Sequence, residues 1–469
     1  MVARTNNSSG FMRLLFVHER FGALAGAEAN LLHTANELKH RGHAIGILHG
    51  RATGQAEDAW RQTFSERFAA VPGDNAGSVE RAVRNFRPEA IYVHKMADLG
   101  VIEAILAAGV PVVRMVHDHD LYCMRSCKYH YFSRRICTRP LSAFCVFPCG
   151  ASLARGRNGG LPLKWVSYTA KKREIRLNQQ FHRLLVATNY MKQELLRNGF
   201  ADEKIEIHPP VPPQGDAGLQ STVSDRNLIV YAGQIIRGKG VDALLEALAQ
   251  VQAPFECVIL GDGNHRPYCE RLSRKLGLAS RVHFHGFVPQ DEIKQFYREC
   301  SVAVLSSLWP EPFGAVGLEA MRCGLPVVAF DAGGIQEWLR DGYNGHLVRW
   351  QDRAAFAKRI EELLRDKMRA RQMGERGRRW AAEQYDFSKY ISTLEEMFAR
   401  VMAETRLAGV CRDPDEVAAH EAARGKENFS VWHLAHYRAR DLSPFEIFSI
   451  PTVGWRKKMR TRAIICASD

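Results

Sequence analysis

Two carboxylates, Glu311 and Glu319, bracket the stretch EPFGAVGLEA, which follows an apolar run (SVAVLSS) and leads into a helix-forming segment. Backbone N–H groups of Phe313, Gly314, Ala315 and Val316 in such a turn can approach an anion at a helix N-terminus, which is how phosphates are commonly held. One carboxylate can then take a ribose diol while the other reaches a sugar hydroxyl. On spacing alone Glu319 falls about two helical turns beyond Glu311, and a pair of solvated helix glutamates is the commoner arrangement.

A second stretch, YAGQIIRGKGVDALLEAL, ends a strand in a glycine turn that carries Arg237 and Lys239 before a helix begins. Cations at the end of a parallel strand suit a diphosphate; a basic turn that simply meets water is the alternative. Gly261-Asp262-Gly263, after FECVIL, is a weaker sign of ligand approach, since strand-ending turns use the same residues. No Asp-x-Asp metal motif is read at a suitable turn.

Five of the eleven cysteines, Cys123, Cys127, Cys137, Cys145 and Cys149, fall in one loop with His119 and His130 among them. Thiolates in pairs can hold a tetrahedral zinc, and Cys123, Cys127, Cys145 and Cys149 would be its ligands. Their spacings are wider than the usual two-residue gap, so reduced cysteines of an ordinary loop are the competing reading.

These residues need elements to hold them. The chain alternates strand-like and helix-like runs: MRLLFVHE, a helix from about 28 to 39, AIGILHG, EAIYVHK, PVVRMVHD and FHRLLVATN. Near-continuous apolar strands alternating with helices belong to parallel sheets covered on both faces. Residues 12–208 therefore form one doubly wound domain, with the Cys-rich loop at 117–150. Four prolines and several Gly, Ser and Asp mark 209–227 as a linker. The alternation restarts with NLIVYAG and runs through FECVILGDG, VHFHGFV, SVAVLSS, LPVVAFDAGG and GHLV, giving a second doubly wound domain at 228–375. Helices follow at 376–404, and 405–469 is a locally basic extension that includes Trp432 and Trp455. Two such domains place a cleft beyond the carboxyl ends of their strands, and ligands belong there.

The order and spacing of GALAGAE, VHD, the GKG turn, GDG, HGFV, EPFGAVGLEA, CGLPVVAFDAGGIQE and DGYNGHLV closely resemble the retaining glycosyltransferases of family 4, with the two-domain GT-B fold, over about residues 12–404. The resemblance implies a nucleotide diphosphate sugar as donor and a glycan or lipid-linked acceptor. It implies that Glu319 binds the donor ribose, that Glu311 and the backbone from Phe313 to Val316 meet the donor sugar and phosphates, and that Lys239 neutralises the diphosphate. Gly26 would lie under that diphosphate, and His117 would face the transferring sugar. One position departs from the family: Gln234 stands where an Arg usually follows the glycine closing the first strand of the second domain, and Arg237 could supply the missing charge. The implied chemistry needs no metal, because fixed cations and N–H dipoles stabilise the leaving diphosphate.

The composition, 46% hydrophobic and 25% charged over 469 residues, excludes a disordered chain and suits two or three globular units. A net charge of +14 attracts phosphates, anionic membrane surface or nucleic acid without choosing among them. No aromatic and basic platform for single-stranded nucleic acid is visible. Lys164, Lys171, Lys172, Arg173, Arg176 and Arg183 decorate a helix in the first domain, either to meet an anionic membrane or as a solvated face. No signal-peptide core or apolar run of membrane-spanning length is found, so a cytoplasmic protein, working at the inner face of the cell membrane, is expected. Two other functions compete with transfer: a sugar-nucleotide epimerase of the same architecture, and an inert nucleotide-sugar-binding subunit of an assembly complex.

Overall fold

The computed structural model describes residues 10–22, 26–130, 133–155, 163–213 and 223–409. Seven parallel strands form the first sheet: β1 (Arg13–Phe21), β2 (Ala44–Ala52), β3 (Glu66–Ala69), β4 (Ala90–Lys95), β5 (Val112–Val116), β8 (Arg183–Val186) and β9 (Ile205–Ile207). A short antiparallel hairpin, β6 (Leu153–Arg155) with β7 (Leu163–Trp165), stands apart from it. The second sheet has β10 (Leu228–Ala232), β11 (Glu256–Leu260), β12 (Val282–Gly286), β13 (Val302–Leu305), β14 (Val327–Phe330) and β15 (Gly345–Val348). Strand order is β3-β2-β1-β4-β5-β8-β9 in the first and β12-β11-β10-β13-β14-β15 in the second. The architecture is GT-B: two Rossmann-like doubly wound domains.

Each sheet reverses its winding once, between β1 and β4 and between β10 and β13. Loops leaving those strands on opposite sides open a crevice at their carboxyl ends. Central strands such as β4, β5 and β14 are buried along their length, so both faces are covered, and this is why their sequences read as unbroken apolar runs. Strands β3 and β9 lie at the edges; their short, mixed sequences (ERFA, IEI) have no such run to read.

The chain crosses between the two sheets a second time near its end. Helix Lys367–Gln384 packs on the second domain, where a side chain at Gly374 would meet the Gly324 carbonyl. Helix Phe387–Leu407 returns to the first. There the Tyr390 hydroxyl meets Asn30 and Thr34, each at 3.3 Å, and Phe398 packs edge-on against Tyr92. The buried Glu395 carboxylate accepts from Arg41 at 2.9 Å and lies 2.8 Å from the His43 ring.

His208, just after β9, stacks on Tyr390 with ring centroids 4.5 Å apart. Burial pushes its pKa down to about 4. The unfolded chain takes up a proton on this residue below about pH 6.5 while the folded one resists. Stability is therefore lost as pH falls from about 6.5 towards 4, by about 2 kcal/mol for this residue at pH 5. Denaturant melts at pH 7 and pH 5 should show that His208→Gln loses less stability over the interval than the wild type by roughly that amount. Equal losses would mean that His208 is protonated in the fold.

Candidate functional site

Strand β13 runs out into Ser306, Ser307, Leu308, Trp309 and Pro310, and Glu311 follows as an extended residue bridged to Gly333. Glu311 is thus outside the helix, which begins four residues later as Ala315–Arg322, and Glu319 stands in that helix. The two carboxylates do not share a helix face. Nor is Glu311 solvated, being only 3% exposed.

Three donors hold it. Lys239 Nζ lies 2.7 and 2.9 Å from its two oxygens, Trp309 Nε1 donates at 3.0 Å, and the Ser307 hydroxyl donates as well. Burial alone would push the Glu311 carboxyl up; the Lys239 ammonium and these hydrogen bonds outweigh it and hold the group below the usual carboxylate range. Lys239 also sits over the Trp309 ring, 5.0 Å from its centroid. Gly314 caps the following helix at φ +82°, a left-handed conformation that favours glycine, and the Trp338 indole donates to the Phe313 carbonyl at 2.6 Å. Ala315 and Val316 follow as the first helical residues, where N–H groups have no intrahelical partner.

The Gly261-Asp262-Gly263 turn has a structural explanation. A side chain at Gly261 would lie 1.9 Å from the Gly233 carbonyl, and one at Gly263 would lie 2.4 Å from that of Ile235. Here the glycines let two backbones cross. Gln234 is exposed at the end of β10, its carbonyl accepting from the Tyr231 hydroxyl. Arg237 and Lys239 form the single turn before helix Val241–Leu248.

In the first domain His117 follows β5, and its Nε2 lies 2.9 Å from His94 Nδ1, the rings stacked at 5.1 Å. The buried His18 lies 3.8 Å from Glu28. Burial, with the nearby His18, Lys95 and Arg114, pushes the His117 pKa down to about 3. It is neutral at pH 7. Gly26 opens helix Gly26–His40, exposed and with open space around it.

His119, placed by sequence among the cysteines, instead joins the domains. Its Nε2 donates to the Pro310 carbonyl at 2.8 Å, next to Glu311, while Nδ1 accepts from Tyr122 at 2.7 Å. Arg134 also crosses: it reaches Asp242 at 2.5 and 3.0 Å and donates to the Arg237 carbonyl at 2.6 Å. Burial would raise the Asp242 pKa, but hydrogen bonds from His265 and Arg134 hold it well below the usual range.

Among the described residues, no three His, Cys, Asp or Glu side chains gather as a metal ion would need. Cys127 and Cys145 lie within electrostatic reach of Cys123 and Cys149 without forming such a group. Burial and the neighbouring Cys123 push Cys127 up to about 12, a protonated thiol. The loop is ordered by other bonds, among them Arg125 to the carbonyls of Cys149 and Gly150. An Asp-x-Asp pair does follow β5, Asp118-His119-Asp120, and its carboxylates bracket Lys95 at 3.6 and 2.9 Å.

Sequence reasoning passed over Trp309, Ser307, His94, His18, Arg134 and Asp242. A signal existed for two of them: the runs of β1, β4 and β5 each contain Val-His followed by a charged residue, at Val17-His18-Glu19, Val93-His94-Lys95 and Val116-His117-Asp118. Nothing local marked Arg134.

The model of glycosyl transferases group 1 matches residues 220–380, and that of glycosyltransferase family 4 matches residues 24–211. The chain belongs to this glycosyltransferase family. Among curated relatives, the lipopolysaccharide core biosynthesis glycosyltransferase LpsE of Rhizobium meliloti is 35% identical over 162 residues, 34% of this chain and 46% of that protein. A D-inositol 3-phosphate glycosyltransferase of Streptomyces bingchenggensis is 29% identical over 243 residues, 47% of this chain and 53% of that one. The chain thus spans about half the length of the curated relatives it matches. The crystal structure of Anabaena HepE in complex with UDP superposes with a TM-score of 0.63 at 21% identity, over 83% of this chain and all of that one. This likeness is one of fold. Among the described residues, no helix of the chain is long and apolar enough to cross a membrane.

Proposed function

We propose that the chain moves a sugar from a nucleotide diphosphate sugar to a glycan or lipid-linked acceptor in surface polysaccharide or glycoconjugate synthesis, retaining the anomeric configuration and using no metal. The observation that carries the reading is the Lys239–Glu311 pair, 2.7 Å apart beside the N-terminus of helix Ala315–Arg322. As the sugar–phosphate bond breaks, negative charge grows on the diphosphate; Lys239 and the N–H groups of Ala315 and Val316 stabilise it, with Arg237 nearby. Gly26 approaches the same diphosphate from the first domain. Glu319 takes the ribose diol. Glu311 and the Phe313–Gly314 backbone take the sugar, and neutral His117 offers its free Nδ1 to a sugar hydroxyl. The acceptor attacks from the face the diphosphate leaves.

HepE has been crystallised with UDP and with UDP-glucose, so UDP sugars are the first donors to try, and the LpsE relative makes a lipopolysaccharide-type acceptor the first alternative to polysaccharide. Gln234 favours one competing reading, a nucleotide-sugar-binding subunit without turnover; an epimerase has no residue of its own in favour.

The test incubates purified protein with a panel of nucleotide diphosphate sugars and reads thermal stabilisation, nucleotide release and products. Glu319→Ala should weaken donor binding about 10- to 100-fold, as the loss of a charged hydrogen bond does. An epimerised donor, or binding without release even when acceptors are supplied, would overturn transfer. Unchanged donor affinity in Glu319→Ala would remove its role.

A further inference from the structure

Between Asp120 and Glu174 the chain contains eleven Lys and Arg and no Asp or Glu. Few stretches of this length in a soluble domain lack both acids, because charges of both signs normally intersperse on a surface. The same segment is unusual in what it exposes. Of twelve large apolar side chains exposed among the described residues, four lie within it: Val146 (38%), Phe147 (84%), Leu153 (51%) and Trp165 (68%).

These four belong to one compact knob. Leu153 and Trp165 are direct cross-strand partners in the β6–β7 hairpin. The Leu153 amide bonds the Gly150 carbonyl, the Gly150 amide bonds that of Val146, and the Val166 amide bonds that of Ser152. Arg125 ties the same turn down through the carbonyls of Cys149 and Gly150. Trp165 is two residues before Ser167, which caps helix Tyr168–Asn178.

The charges divide into spent and unspent. Lys171 bonds Glu174 and the Asp120 carbonyl, each at 2.6 Å, Arg173 pairs with Glu103, and Arg183 pairs with Glu206 and Glu404. Half of the basic stripe read from the sequence is therefore used inside the fold, and the side chain of Lys164 lies outside the described residues. Lys172 and Arg176, one helical turn apart, are exposed and have no carboxylate partner among the described residues, as are Arg135 and Arg139 in the loop before the knob.

We infer that this knob is a docking surface for an anionic lipid bilayer. An exposed Trp suits the headgroup boundary, its ring apolar and its indole N–H wet, and Phe with aliphatic neighbours suits the apolar layer below. Unpaired Lys and Arg of the preceding loop and of the helix that follows Trp165 are drawn to anionic headgroups at about 1 kcal/mol each. Apolar insertion and charge attraction together give stable attachment where either alone is marginal. The loop that ends in the knob leaves directly from His117, so docking brings the acceptor side of the cleft to the lipid surface. The surface stands independently of the donor chemistry.

The test is co-sedimentation of the full chain with vesicles made of equal parts phosphatidylglycerol and phosphatidylcholine, and with vesicles of phosphatidylcholine alone. Binding of the wild type to the anionic vesicles that falls with added salt, and that is at least tenfold weaker both for Phe147→Ala/Trp165→Ala and for Lys172→Glu/Arg176→Glu, is the expected result. These side chains are exposed, so unchanged melting temperatures confirm that the variants fold. Three outcomes overturn the proposal: no binding of wild type to anionic vesicles, equal binding by the apolar double variant, or capture of single-stranded RNA with no vesicle binding. Because none of these readouts needs turnover, failure here is distinguishable from failure of the transferase reading.

Discussion

Replacing Lys239 with Ala should lower kcat/KM by about 10²–10³, the usual cost of removing one group that faces developing negative charge. Lys239 and Glu311 are mutually neutral at 2.7 Å, and Glu311 has two further donors in Ser307 and Trp309. When a diphosphate arrives, Lys239 can turn towards it without leaving the buried carboxylate unsatisfied. Without Lys239 the leaving group loses its fixed cation, and Glu311 keeps a buried charge with only neutral donors, which also lowers stability. The double variant Lys239→Ala/Glu311→Ala separates the two effects, since it removes both charges: folding should recover and rate should not. Steady-state kinetics alongside thermal melts would decide it. A folded Lys239→Ala enzyme with wild-type kcat/KM would take Lys239 out of the chemistry.

Why Lys239 and Glu311 were legible, and their companions were not, follows from where the information lies. Lys239 sits in a turn between a strand and a helix, and Glu311 in a glycine-rich stretch with the same setting, so local pattern points to both. Ser307 and Trp309 are close to Glu311 in sequence, but only the extended run out of β13 turns them onto its carboxylate. Spacing alone even misleads here, because it places Glu311 and Glu319 on one helix, whereas Gly314 starts the helix after Glu311. Both sheets were readable because buried parallel strands are apolar on both faces; edge strands β3 and β9, with a polar face and few residues, were not. Long-range partners leave no local trace at all. Arg134 and Asp242 are 108 positions apart, and His119 meets Pro310 across 191. The cysteines are conspicuous in composition, while the bonds seen to order the loop belong to arginine, lysine and histidine.

That loop gives the largest expected change in stability. Lys128 is buried at φ +49°, with its ammonium 2.7 Å from the equally buried Glu194 of helix Asn189–Arg197 and 2.6 Å from the Arg139 carbonyl. Lys128→Met should destabilise the protein by about 3–5 kcal/mol, because Glu194 would keep a buried charge. Its remaining ion-pair partner is Arg197, whose side chain is half exposed. Lys128→Met/Glu194→Leu should recover most of the loss, since an apolar pair of similar size often replaces a buried ion pair at little cost. Denaturant melts of the three proteins test this, and a loss below about 1 kcal/mol in the single variant would mean the pair does not hold the loop. The effect should also reach the donor side. Arg134, six residues on, ties the loop to Asp242 and to the Arg237 carbonyl, two residues from Lys239. A loosened Lys128 therefore slackens the turn that presents Lys239, and the donor KM should rise in Lys128→Met even at temperatures where the protein stays folded. An anchor in the first domain thus sets the geometry of the cation in the second.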